Sequence, residues 1–183
     1  RPSSQRRDLS RRETAHMETL RQIWNDSGTT LGGWLSVPSS VTAEAVARAG
    51  FDYVCIDAQH GAVEYSDCVS MIQAVLLGGG RPIVRVPWNE PGIIGKMLDA
   101  GAQGVIIPMV NTVVEAEAAV RACRYAPEGA RSSGPTLVGP RTDRPYFEWA
   151  KDNVACIPMI ETIEAVGNLG DILAVPGIDA VYV

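Results

Sequence analysis

Lysine and histidine are scarce in this 183-residue chain, with two of each, and aromatic residues make up 6%. The four cysteines, at 55, 68, 123 and 156, form no C-x-x-C pair. Cys55 and Cys156 fall inside apolar runs, where cysteine acts as a small hydrophobe, which argues against a disulfide framework or a zinc knuckle. No apolar run reaches the ~18 residues that a bilayer-crossing helix needs, and the polar N-terminus is unlike a signal peptide. A cytoplasmic protein is therefore expected. The first sixteen residues, RPSSQRRDLSRRETAH, hold five arginines against two acidic residues, on a chain of net charge −5. Such a tail can bind nucleic acid or a membrane surface, but this one has no aromatics, no amphipathic face and an acidic body behind it, so neither partner is expected. Met17 opens METLRQIWNDSG, a candidate first helix. Residues 1–16 read as a leader outside the fold, and residues 17–183 as one domain.

What is present is a soluble-type composition, 46% hydrophobic with a mean hydropathy of +0.03, and a rhythm. Strand-like segments at 31–36, 52–57, 82–86, 105–108 and 155–160 alternate with helix-like segments at 41–49, 66–77, 91–101 and 112–124, the pattern of a parallel α/β protein. Ser39 and Ser40 can cap a helix, and Pro91 and Gly101 bracket another. A polar, proline-rich excursion spans 127–145. After strand five a helix is expected through 173, and DAVYV at 179–183 begins a sixth strand. The spacing fits a (β/α)8 TIM barrel, which usually needs about 250 residues. The chain reads as an incomplete barrel of about six strands.

In such a barrel reactive groups cluster at the C-terminal ends of the strands. Strand two ends in Asp57 and His60, within DAQHG, strand three in Arg85, and strand five in Glu161. His60 has a plain reading as a strand-end polar group. With a carboxylate such as Asp57 accepting one ring proton, it becomes a general base. Arg85, among Val84, Val86 and Pro87, is costly inside a barrel unless it holds an anion or forms an ion pair. Glu161 is either a carboxylate favoured at a helix N-terminus or a ligand for a hard cation. Asp99 sits at a helix end where its charge opposes the dipole, which calls for a compensating partner. The glycines at 78–80 lack a following G-K-[ST] and are read as a turn.

Taken together and in order, LGGWLSVPSS, FDYVCIDAQHG, IVRVPWNEP, MLDAGAQGVIIPMV, YAPEGARSSG and IPMIET resemble the HpcH/HpaI aldolases, metal-dependent class II pyruvate aldolases, over residues 28–183. The resemblance implies a (β/α)8 barrel that reversibly cleaves 4-hydroxy-2-oxo acids into pyruvate and an aldehyde, in catabolism of aromatic compounds or sugar acids, and a homo-oligomer, a hexamer in full-length members. It implies His60 as acid/base, Arg85 as the group that stabilises the pyruvate enolate, Asp99 as the carboxylate that raises the histidine's basicity, and Glu161 as one ligand of Mg2+, Mn2+ or Co2+. Asp57 is ranked below Asp99 as a partner of the histidine. Gln59 stands where the family often has glutamate, and Met159 where it has a glutamine that can contact substrate. A second metal carboxylate is expected beyond Val183, so the 183 residues alone are expected to be inactive. A Schiff-base aldolase on a similar barrel is the alternative, with only Lys96 and Lys151 to serve it, and a degenerate barrel serving only oligomer contacts is another.

Overall fold

A computed structural model describes residues 19–26 and 28–183, so the leader at 1–16 lies outside the described residues. A short helix, α1 (Leu20–Asn25), is closed by a capping box in which the Thr19 hydroxyl accepts from the Gln22 N–H. Then β1 (Gly32–Leu35), α2 (Ser40–Arg48), β2 (Tyr53–Asp57), α3 (Tyr65–Leu77), β3 (Pro82–Arg85), α4 (Pro91–Ala100), β4 (Gly104–Ile107), α5 (Val113–Cys123), α6 (Tyr146–Asn153), β5 (Ala155–Pro158), α7 (Ile163–Gly167) and α8 (Leu169–Leu173) follow. Side chains just outside the helices start them: Ser39 for α2, Glu90 for α4, Thr112 for α5 and Thr162 for α7 each accept backbone N–H bonds. Helix α4 ends at Gly101, whose φ of 116° only glycine adopts freely.

The five strands form one parallel sheet in the order β1-β2-β3-β4-β5. Alternate residues serve two layers, which is why the strands read as nearly continuous apolar runs. Val54, Ile56, Val84, Val105, Ile107 and Cys156 pack against the helices. Cys55, Ile83, Ile106, Ala155, Ile157 and Met159 form a separate cluster on the other face with Tyr53, Tyr182 and, from α1, Leu20 and Trp24. That second face is concave. Five steps of ~4.8 Å across a flat sheet would put β1 about 24 Å from a sixth strand. Instead the Trp34 and Tyr182 rings lie 5.6 Å apart, so the sheet curls as part of a TIM-type barrel wall with these residues inside.

The structure departs from the expected elements in three places, the first being that the helix expected through 173 is two short helices, α7 and α8, which meet at Asn168. The sixth strand is reduced to one parallel bridge, Met159 to Tyr182, although the Asp179 and Tyr182 N–H groups donate to the Cys156 and Pro158 carbonyls along β5. The sequence reading also missed α6. Its polar run YFEWAKDN buries only Tyr146, Ala150 and Asn153, and it follows directly on the proline-rich excursion. All four cysteines are buried and unpaired. Among the described residues no helix is long and apolar enough to cross a membrane.

Candidate active site

Register brings the central pair together: Asp57 and Arg85 are directly opposite at the ends of β2 and β3. Both share the parity of the inward-facing Cys55 and Ile83, so they meet inside the curl, and the guanidinium grips the carboxylate with two bonds. Arg85 Nε donates to Asp57 Oδ1 at 2.9 Å and Nη2 to Oδ2 at 2.6 Å. Trp34 of β1 lies over the guanidinium, 4.9 Å from its ring centre, and its Nε1–H donates to Asp57 Oδ2 at 3.4 Å. Backbone N–H groups of Gln59 and His60 also donate to Asp57 Oδ1. Burial pushes the Asp57 carboxyl up, but the bonds and charge of Arg85 with these N–H bonds outweigh it and hold it at about 2.

Asp57 therefore does not receive a proton of the His60 ring, as the sequence reading had it. Both its oxygens are taken by Arg85, Trp34 and backbone, a better match for a carboxylate with 4% side-chain exposure than an exposed imidazole. The consequence for stability has a definite sign. A carboxyl held below its unfolded value stabilises the fold above pH ~4, and that contribution, about 2 kcal/mol, is lost as pH falls through the folded value. Urea unfolding between pH 5 and 2 should show this loss, and the Asp57→Asn/Arg85→Leu double variant should lack it.

His60 follows on the exposed loop after β2, and its ring has no hydrogen-bond partner among the described residues. Glu161, just beyond β5, is exposed, and its Oε1 accepts from the Met109 N–H at 2.8 Å. Met109 is held in the left-handed region, φ 57°, which costs a non-glycine residue on the order of 1 kcal/mol and aims this N–H at the carboxylate. The Thr162 hydroxyl donates to Asn111 Oδ1, and Asn168 Nδ2 donates to the Asn111 carbonyl, which ties the loops after β4 and β5 together. Met159 is buried in the inner apolar cluster.

Asp99 lies elsewhere. It is in the last turn of α4, and the chain re-enters the sheet at its N-terminal end, where Gln103 N–H donates to the Pro82 carbonyl. Strands of four or five residues at ~3.3 Å each separate the two ends of the sheet by about 13 Å or more. Asp99 and His60 of one chain are therefore not brought together. The compensation that Asp99 needs comes from Arg131, whose Nη2 donates to Oδ1 at 2.6 Å. Sequence reasoning did not find Arg131, Trp34 or Met109 as parts of these arrangements. Only Trp34 left a signal, a tryptophan at an inward position of a glycine-rich first strand.

The donors fit one position of a metal site and no more. Glu161 keeps Oε2 free of partners among the described residues, whereas Asp57 is occupied by Arg85, and no cluster of three or more His, Cys, Asp or Glu side chains is present among them. Neither lysine is at the strands' C-terminal ends. Lys96 lies 4.1 Å over the Tyr65 ring, and Lys151 pairs with Glu128 near the start of β5. A cavity of about 420 Å3 bounded by Val120, Cys123, Tyr125, Phe147 and Pro176 is lined by Lys151 but by none of Asp57, His60, Arg85, Asp99, Met159 and Glu161.

The sequence model of the HpcH/HpaI aldolase/citrate lyase family matches residues 31–183. The chain belongs to this family. It is 43% identical over 167 residues to a hydroxypyruvate/pyruvate aldolase of Rhizorhabdus wittichii, a match covering 91% of the chain and 66% of that protein. It is 40% identical over 156 residues to a 4-hydroxy-2-oxo-heptane-1,7-dioate aldolase of Escherichia coli, covering 84% of the chain and 60% of that protein. A crystal structure of a family member from Burkholderia cenocepacia superposes with a TM-score of 0.80 at 35% identity, over 88% of the chain and 66% of that structure. The chain thus spans about three fifths to two thirds of the length of these relatives.

Proposed function

We propose that this chain carries the proton-transfer and anion-binding part of a carbon–carbon lyase that reversibly cleaves a 4-hydroxy-2-oxo acid to pyruvate and an aldehyde. The observation that carries the reading is the state of Arg85. One edge of its guanidinium is held by Asp57 and its face by Trp34, while Nη1 has no partner among the described residues. A fixed, largely buried cation with an open donor, whose carboxylate partner accepts from the backbone N–H of an exposed histidine, suits a reaction that builds negative charge on an oxygen while moving a proton.

In the cleavage direction His60 takes the proton of the C4 hydroxyl, the C3–C4 bond breaks, and its electron pair moves toward the C2 oxygen, giving the enolate of pyruvate and the free aldehyde. Arg85 donates to the developing oxyanion. The proton then returns to C3. A divalent cation, Mg2+, Mn2+ or Co2+, with Glu161 as one ligand, would hold the 2-oxo acid and add Lewis-acid stabilisation. The Met109 N–H fixes which oxygen of Glu161 stays free. Since Asp99 is remote from His60 of its own chain, we assign its role of raising the histidine's basicity to the His60 of another copy in a homo-oligomer.

The test is pyruvate release from a 4-hydroxy-2-oxo acid by the protein expressed from its complete coding sequence. Chelation should lower the rate by at least about a hundredfold, and added Mg2+, Mn2+ or Co2+ should restore it. Borohydride should trap no pyruvate adduct. A covalent adduct on lysine together with full activity in chelator would replace this reading with the Schiff-base mechanism, against which the positions of Lys96 and Lys151 already weigh.

A further inference from the structure

Arg131 is an expensive residue for its position. Its side chain is 1% exposed, and its Nε and Nη1 have no hydrogen-bond partner among the described residues. Two aromatic rings hold the guanidinium instead, Tyr125 with its centre 4.7 Å away and Tyr146 at 5.3 Å, set edge to face at 84° to one another. Burying a cation with unsatisfied donors costs several kcal/mol, and a buried ion pair replaced as a whole by apolar side chains of similar volume often leaves stability unchanged. Core formation therefore does not explain the choice of arginine here.

What the arginine does is fix one carboxylate. Nη2 donates to Asp99 Oδ1 at 2.6 Å and to the Tyr146 hydroxyl oxygen at 3.2 Å. That hydroxyl in turn donates to the carbonyl of Leu98, the residue before Asp99, at 3.2 Å. Burial pushes the Tyr146 hydroxyl up to about 12, so it stays protonated and keeps this bond. Backbone and side chain of Asp99 are thus pinned by the same two residues. The clamp is buried, but the Asp99 side chain is 26% exposed and its Oδ2 has no partner among the described residues. The carboxylate also stands at the end of α4, where the helix dipole disfavours it. An unfavourable charge, rigidly held and open on one side, is an arrangement for presenting an acceptor.

The geometry points to Arg131, with Tyr146 behind it, as a positioning residue that holds Asp99 in the orientation in which its free oxygen serves His60 of a second copy. This rests on the aldolase reading given above and adds to it the group that sets the carboxylate. Arg131 touches neither substrate nor the reacting atoms; it acts through Asp99.

A double-mutant cycle tests this in the protein expressed from its complete coding sequence, with pyruvate release as the assay. Arg131→Met should lower kcat about 10- to 100-fold, the loss typical of a catalytic group moved by an ångström, with KM for the oxo acid within about twofold. Tyr146→Phe keeps the ring and the packing, so it folds even if Arg131→Met does not, and should lower kcat about 3- to 10-fold. In an Asp99→Asn background both replacements should change kcat by less than about twofold. Arg131→Lys should recover part of the loss. Equal losses with and without Asp99, or a Tyr146→Phe kcat within about twofold of the parent, overturn the proposal. Failure of the aldolase reading itself is seen separately, as a parent protein that releases no pyruvate.

Discussion

Replacing Arg85 with leucine is expected to lower the folding stability by about 3–5 kcal/mol and to abolish pyruvate release. The reason lies in what it leaves behind. Asp57, with 4% side-chain exposure, would keep only two backbone N–H groups and the long bond from Trp34, with no cation to balance its charge. Removing one member of a buried pair is costlier than removing both, because the orphaned charge stays in a poor solvent. The Asp57→Asn/Arg85→Leu double variant should therefore regain at least half of the lost stability while remaining inactive. Chemical denaturation of the two variants gives the comparison. A single variant within about 1 kcal/mol of the parent would mean that the pair does not hold the barrel mouth together.

Replacing His60 with asparagine should give the opposite profile. The ring is exposed and has no hydrogen-bond partner among the described residues, so stability should change by less than about 0.5 kcal/mol. The rate of cleavage should nonetheless fall by about 10²- to 10⁴-fold, the range for losing a general acid–base group. The two variants thus separate the parts of the site. On the proposed reading Arg85 is structural and electrostatic at once, whereas His60 serves proton transfer alone.

The site was legible in the sequence to different depths, and the differences have physical causes. The strand ends could be read because parallel strands buried on both faces leave apolar runs that stop abruptly at Asp57, Arg85 and Glu161. The cost of a buried arginine was legible too, and it pointed to an anion or an ion-pair partner. Which carboxylate would take it was not, because that depends on register: Asp57 faces Arg85 directly, and the guanidinium outcompetes an exposed imidazole. The need of Asp99 for a partner followed from the helix dipole, but the partner lies 32 residues on, in an irregular excursion that carries no periodicity. The contact of Trp34 with Tyr182 depends on the curl of the whole sheet, and the left-handed Met109 on the loop it closes. Neither leaves a local pattern. Helix α6 was missed because three buried positions in eight polar-rich residues make a weak stripe.

In the proposed reaction His60 and Arg85 together manage a proton and a negative charge on a pyruvate unit. The most direct measurement is exchange of the pyruvate methyl protons in D2O, followed by NMR, with no aldehyde present, in the protein expressed from its complete coding sequence. Exchange should require divalent metal, fall at least about a hundredfold in His60→Asn, and produce no borohydride-trapped adduct. Exchange at the parent rate in His60→Asn, or in the presence of chelator, would contradict the proposed reaction.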